Sequence, residues 1–185
     1  MYLNTHSYYS FNFGTLGVEQ LLQEAKRCGI TKLALTDINN TSGVMDFIRL
    51  APQYDVEPAI GIDFRVGAKQ FYVGLAKNNN GFRELNEFLT FCLRKGTNEL
   101  PDLPEVPPML QNVFWIIPFS ATTTIKPAHI RKEQNCFLGI RASQLNRLKF
   151  SEWESVKHKL VALSPISFKH SGGLQLHSLL RGIAN

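Results

Sequence analysis

A chain of 185 residues with 44% hydrophobic and 19% charged side chains has a globular balance and enough length for one domain or two small ones. That composition excludes a disordered chain, and the longest central apolar run, Val113–Phe119, falls well short of the roughly 20 residues a membrane-spanning helix needs. The net charge of +5 is uneven: residues 1–93 carry 8 Lys/Arg against 9 Asp/Glu, and residues 94–185 carry 12 against 6.

The opening Met1–His6 has no basic stretch followed by an apolar one, so no signal peptide is read and a cytoplasmic protein is expected. Tyr2–Thr5 reads as the first strand. Val18, Leu21, Leu22, Ala25 and Cys28 follow helical spacing, with Gly29 as the stop. Lys32–Thr36 is a second strand. Val44, Phe47, Ile48 and Ala51 form a second helical stripe, expected to end at Pro52. Pro58–Phe64 and Gln70–Ala76 are strands three and four. Phe82, Leu85, Phe88, Leu89 and Cys92 make a third helix closed by Gly96.

The stretch Pro101–Pro108 holds four prolines in eight residues. That density excludes helix and central strand and predicts an extended loop inside one domain. Val113–Pro118, Cys136–Ile140 and Leu160–Leu163 complete seven expected strands, and Leu176, Leu179, Leu180 and Ile183 mark a last helix. Short continuous apolar runs alternating with helices predict an α/β chain on a mostly parallel sheet, an incomplete or distorted barrel. Cys28, Cys92 and Cys136 lie far apart without a Cys-x-x-Cys pair and are expected to be buried thiols. Phe114 and Trp115 are expected in the core.

In parallel barrels the working groups stand at the C-terminal ends of strands. Reading those ends gives Asn4-Thr5-His6-Ser7, then Thr36-Asp37-Ile38, then Gly61-Ile62-Asp63, then Ser164-Pro165-Ile166-Ser167. One imidazole and two carboxylates, His6, Asp37 and Asp63, would suit one divalent metal with open positions. The competing reading is structural, with Asp37 capping the following turn and Asp63 accepting backbone hydrogen bonds. His6 is expected at an open mouth. Ser7 and Ser10 lack an evident base and read as turn formers rather than nucleophiles. His129, His158 and His170 show no metal spacing and read as surface residues. His177 is expected on the polar side of the last helix.

These residues resemble a known family. Asn4-Thr-His6-Ser7-Tyr-Tyr-Ser10 is similar to the His-x-His-Ser-x-x-Ser opening of the polymerase and histidinol phosphatase (PHP) domain. Leu33-Ala-Leu-Thr-Asp37-Ile38-Asn-Asn-Thr-Ser-Gly43 resembles its Leu-Ala-Leu-Thr-Asp-His-Gly-Asn-x-x-Gly motif, and Ile60-Gly-Ile-Asp63-Phe64 its Ile-Gly-x-Glu-Phe motif. Leu75-Ala-Lys-Asn-Asn-Asn-Gly-Phe-Arg-Glu-Leu85 is similar to a segment typical of the PHP domains that open bacterial DNA polymerase III alpha subunits. The likeness covers residues 1–96 well and 160–185 loosely.

The resemblance implies a distorted seven-stranded (β/α) barrel of PHP type over residues 1–185. It also implies a fragment of a longer chain whose remainder carries out DNA-templated DNA synthesis. Active family members hold a cluster of divalent ions. Carried over position by position, the first opening ligand is Asn4 and the second His6. Asp37 matches, but Ile38 stands where His is expected, and Asp63 stands for Glu. The closing Asp-x-His pair falls on Pro165 and Ser167, and Phe13 stands for an Asp before Gly14. Ile38, Phe13 and Pro165 have no donor atom, so no catalytic residue and no metal cluster are expected. A weakly held single Zn, Mn or Mg is the most the remaining ligands would support.

The leading expectation is a structural module without phosphoesterase activity. The competing one is an active metal-dependent phosphoesterase or 3'-5' proofreading exonuclease. Expected partners are the remainder of the polymerase alpha chain, a proofreading subunit, and DNA through the parent; no membrane is expected. A possible nucleic-acid or partner surface is read at Lys126, Arg131, Lys132, Arg141, Arg147, Lys149, Lys157 and Lys159, where the basic excess centres.

Overall fold

The computed structural model describes residues 1–96, 101–119, 125–167, 169 and 171–183. Its strands are β1 (Tyr2–Thr5), β2 (Lys32–Leu35), β3 (Glu57–Val66), β4 (Lys69–Ala76), β5 (Val113–Pro118), β6 (Cys136–Ile140) and β7 (Leu160–Ala162). All seven lie where apolar runs predict them, and they follow one another in sheet order β1 to β7. The helices are α1 (Val18–Arg27), α2 (Val44–Leu50), α3 (Asn79–Lys95), α4 (Pro127–Lys132), α5 (Leu145–Lys149) and α6 (Ser171–Ile183). Contacts divide the chain into two compact units, residues 1–62 with 165–185, and residues 63–164. The first division falls inside β3, not in the proline stretch.

In the first unit β1 pairs parallel with β2, and β2 pairs parallel with β3 through Leu33↔Pro58 and Leu35↔Ile60. Val18, Leu21, Leu22 and Ala25 of α1 pack on Leu33, Leu35, Phe47, Ala51 and Val56. Burying an aliphatic side chain of this size stabilises by about 1.5–3 kcal/mol, so this face anchors β1 and β2 and the loops that follow them. Gly29 closes α1 at φ +67°, a left-handed conformation that glycine adopts without a Cβ clash. Cys28 is exposed, contrary to expectation. The apolar stripe outruns the helix by one residue, and the turn into Gly29 swings the thiol outward. Pro52 does not end the second helical stripe either. It sits in the first turn of a 3₁₀ segment, Ala51–Tyr54, where a missing N–H costs nothing.

The apolar stripe of α6 is only partly used. Leu176, Leu179 and Ile183 are exposed, and the helix meets its unit through His177, whose Nδ1 lies 2.7 Å from the Phe13 carbonyl oxygen.

In the second unit the end of β3 turns into β4 through Gly67 and Ala68, with Gly67 at φ +56°. β4 runs antiparallel to β5, and β5, β6 and β7 are mutually parallel neighbours. Phe64, Tyr72, Phe88 and Trp115 form an aromatic core with ring centroids 5.2–6.4 Å apart. Burial in this cluster raises the Tyr72 hydroxyl well above the ordinary phenol range. The proline stretch packs on it: Pro101, Leu103 and Pro107 are buried. The Tyr72 hydroxyl and the Trp115 indole N–H donate to the carbonyls of Pro104 and Pro108.

Phe114 is exposed, against expectation, because strand alternation turns it to the face opposite Trp115. There Lys77 Nζ sits 4.6 Å from its ring centre. Helices α4 and α5 and the 3₁₀ segments Ala142–Gln144 and Glu152–Lys159 were not predicted. The first three are too short for a 3.6-residue period to show, and Glu152–Lys159 is a 3₁₀ segment with non-helical dihedrals at Val156, so it lacks that period.

Candidate functional site

Asp37 lies two residues past the end of β2, and Ser7 and Ser10 lie in the loop after β1. All three are buried. Asp37 Oδ1 accepts from the Ser7 backbone N–H at 2.7 Å and the Ser10 hydroxyl at 2.6 Å; Oδ2 accepts from the Ser7 hydroxyl at 2.7 Å. The Ser10 hydroxyl oxygen in turn accepts from the Ile38 N–H at 3.0 Å. Asp37 therefore staples the β1 loop to the end of β2 rather than capping the turn that follows it. The two serines act as donors to it, in keeping with their reading as turn formers. Gly14 permits this loop: a Cβ there would stand 1.8 Å from the Ser7 carbonyl oxygen.

His6 is fully buried, not at an open mouth. Its Nδ1 shares a 3.1 Å hydrogen bond with the Ser167 hydroxyl, and its ring meets Phe13 edge-on at 4.9 Å. On its other side Phe13 meets His177 edge-on at 4.7 Å, and the Arg181 guanidinium lies 5.6 Å from its centroid. Ile166 bridges β1 through His6 N–H to Ile166 O and Ile166 N–H to Asn4 O, which brings Ser167 beside His6. Pro165 is exposed and Ile38 half-buried. Asn4 is buried and accepts from the Thr36 hydroxyl at 3.2 Å. Asn4 Nδ2 and Thr5 Oγ1 are buried without a hydrogen-bond partner among the described residues.

Asp63 lies in the second unit, on β3. Its Oδ2 accepts from Arg65 Nη2 at 2.7 Å and Nε at 3.0 Å; Oδ1 accepts from Gln70 Nε2 at 2.9 Å. Arg65 on β3 and Gln70 on β4 are thus among its partners. Both members of the ion pair are buried. Sequence reasoning missed Arg65 and Gln70. The signal was present in Asp63-Phe64-Arg65, since residues two apart on a strand share a face.

The PHP resemblance implies a cluster of divalent cations, and the candidate carboxylates among the described residues already have protein partners. Asp37 is satisfied by three protein donors, and Asp63 already has a guanidinium as its cation. Asn4 Oδ1 is taken by the Thr36 hydroxyl, and its Nδ2 is a donor that cannot ligate a cation. Among the described residues no three His, Cys, Asp or Glu side chains form a group that could hold a metal ion. Of the expected trio, His6 and Asp37 lie in the first unit and Asp63 in the second. No described helix is long and apolar enough to cross a membrane.

Of the other predicted residues, Lys126, Arg131, Lys132, Arg141, Arg147, Lys149 and Lys157 are exposed on or beside α4, α5 and the 3₁₀ segments. Lys159 differs. It is half-buried, and its ammonium donates to the carbonyls of Ile130 and Glu133 at the end of α4. His158 is exposed and His129 half-buried; His170 lies outside the described residues.

The DNA polymerase III subunit alpha of Ureaplasma parvum is 31% identical over 100 residues, 54% of this chain and 10% of that protein. The error-prone DNA polymerase of Symbiobacterium thermophilum is 33% identical over 90 residues, 49% of this chain and 8% of that protein. The DNA polymerase III subunit alpha of Vibrio cholerae is 30% identical over 102 residues, 52% of this chain and 9% of that protein. The aligned part of this chain spans only about a tenth of the length of these polymerases. An amidohydrolase from Chromobacterium violaceum superimposes with a TM-score of 0.55 at 14% identity, covering 90% of this chain and 87% of that chain. At that identity the likeness shows the fold alone, an α/β architecture of the class expected from the sequence. The sequence profile of the PHP domain matches residues 3–117, well over half the length, and the chain belongs to the PHP-domain family.

Proposed function

We propose that residues 1–185 form one PHP-type domain without phosphoesterase activity, the N-terminal structural part of a bacterial DNA polymerase III alpha subunit. The parent chain would carry out DNA-templated synthesis in the cytoplasm, with a proofreading subunit among its partners. The observation that supports this reading is where the carboxylates are spent. Hydrolysis by a metal cluster needs carboxylates free to hold cations and to lower the pKa of bound water. Asp37 is spent on Ser7 and Ser10, and Asp63 on Arg65 and Gln70. His6 shares its Nδ1 with Ser167 and its ring with Phe13. The relatives named as DNA polymerase III alpha subunits support the parent's identity.

The test is elemental analysis of the dialysed protein beside a phosphoesterase assay in added Mn or Zn. The expected result is well under one equivalent of metal per chain and no turnover above a blank. Two or three equivalents with turnover abolished by His6→Ala, in a variant that remains folded, would establish the phosphoesterase or exonuclease reading instead.

A further inference from the structure

The whole net charge of the chain resides in one stretch of the second unit. Residues 126–159 hold eight Lys/Arg against Glu133, Glu152 and Glu154, a balance of +5. Exposed cations of the first unit are paired: Lys26 with Asp55, Arg27 with Glu24, Lys32 with Glu57, Arg49 with Asp46. In residues 126–159 only Lys159 is engaged. Lys126, Arg131, Lys132, Arg141, Arg147, Lys149 and Lys157 form no ion pair among the described residues. The Lys159 ammonium ties the 3₁₀ segment Glu152–Lys159 to the end of α4, so Arg131 and Lys132 stand next to the strap that carries Lys157.

One aromatic ring stands among these cations. Phe150 is 92% exposed, the most exposed large hydrophobic residue described. It caps α5, whose single buried residue is Leu148. Arg147 and Phe150 are three apart at the end of α5, both exposed where Leu148 is buried, with the exposed Lys149 between them in sequence. Leu145 is the only other large hydrophobic exposed between residues 126 and 159. A protein-docking surface has an apolar centre fringed by polar groups. A lone ring set among unpaired cations has the opposite make-up. It matches the pairing of phosphate contacts with base stacking used by proteins that hold single strands.

We propose that the α4–α5–Glu152–Lys159 face binds single-stranded nucleic acid, with Phe150 stacking on an unpaired base and Arg147 and Lys149 on the flanking phosphates. The proposal does not depend on whether the domain hydrolyses anything.

Fluorescence anisotropy of the 185-residue chain with labelled (dT)20, across 50–200 mM KCl, tests it. A 20-base-pair duplex and a poly-glutamate peptide serve as the other arms. Phe150→Ala should weaken (dT)20 binding by about fivefold or more and leave duplex binding within about twofold, because only an unstacked base offers its face. Arg147→Ser with Lys149→Ser should lower the salt slope on (dT)20 by roughly 1.4, for two phosphate contacts. The control, Lys26→Ser with Arg49→Ser, removes equal charge elsewhere and should leave affinity within about twofold. The proposal is overturned if Phe150→Ala has no effect, or if the control pair weakens binding as much as the Arg147/Lys149 pair. Poly-glutamate bound as tightly as (dT)20, with the same dependence on Phe150, would mean an acidic protein partner and would overturn it equally.

Discussion

Arg65 lies two residues beyond Asp63 on β3, and its guanidinium places both Nη2 and Nε on one oxygen of that buried carboxylate. The pair is local, needing one strand and its alternation only, and Gln70 on β4 holds the other oxygen. Removing one partner of a buried ion pair strands the other, at about 3–5 kcal/mol, whereas removing both is often close to neutral. Arg65→Met should therefore cost about 3–5 kcal/mol in urea denaturation. Adding Asp63→Asn should recover most of the loss. A single-variant loss under about 1 kcal/mol would mean the pair is not what holds Asp63.

His6 at the edge of an open mouth would tolerate truncation, at about 0.5–1.5 kcal/mol for one hydrogen bond. The structure reverses that expectation. His6 is fully buried, bonded to Ser167 and packed on Phe13. His6→Ala should leave a cavity and cost about 2–5 kcal/mol, in the same range as Leu35→Ala. Denaturant midpoints of the two variants should fall together. A His6→Ala midpoint indistinguishable from wild type would show that the Phe13 contact contributes nothing.

The three thiols should separate cleanly by reactivity. Cys28 is exposed, while Cys92 and Cys136 are buried. Burial pushes both buried thiols up, Cys136 to about 11. Since the thiolate is the reactive form, a disulfide-exchange reagent at pH 8 should modify one cysteine quickly in the native protein and all three in urea. Cys28→Ser should remove the fast phase. A fast phase surviving that change would mean that a buried site opens readily.

Glu24 should report on pH. Lys169, whose ammonium lies 2.5 Å away, and then Arg27 hold its carboxyl below the ordinary glutamate value of 4.5. A carboxylate depressed in the folded state stabilises above its unfolded pKa and loses that contribution as pH falls through the folded one. The stability difference between wild type and Glu24→Gln should thus be constant at neutral pH and shrink once pH drops below about 4.5. A gap that widened on acidification would assign the Lys169 contact no electrostatic role.

Much of the architecture was legible because buried strands are written as short apolar runs, and β5 and β6 coincide with theirs. The absence of ligand atoms at Ile38 and Pro165 was also plain from their chemistry. What the neighbouring polar groups do was not. The donors to Asp37 come from Ser7 and Ser10, some thirty residues upstream, and nothing in their own pattern says which carboxylate they serve. Phe13 is an unremarkable loop residue until the chain brings it between two imidazoles. Helices α4 and α5 escaped notice because one or two turns hold too few apolar positions to define a period.

The staple between Asp37 and the Ser7–Ser10 loop also bears on how this sequence can change over generations. A cation at Asp37 would have to compete with the Ser7 amide and both hydroxyls, and Gly14 gives that loop little room to move. Ile38→His alone would set an imidazole beside a carboxylate already satisfied, with Phe13 and Pro165 still lacking donor atoms. Each such single change would lose existing contacts before any ion could compensate for them. Taking up a metal ion would then require several changes that help only in concert, and selection acting one substitution at a time would hold the domain in its present form.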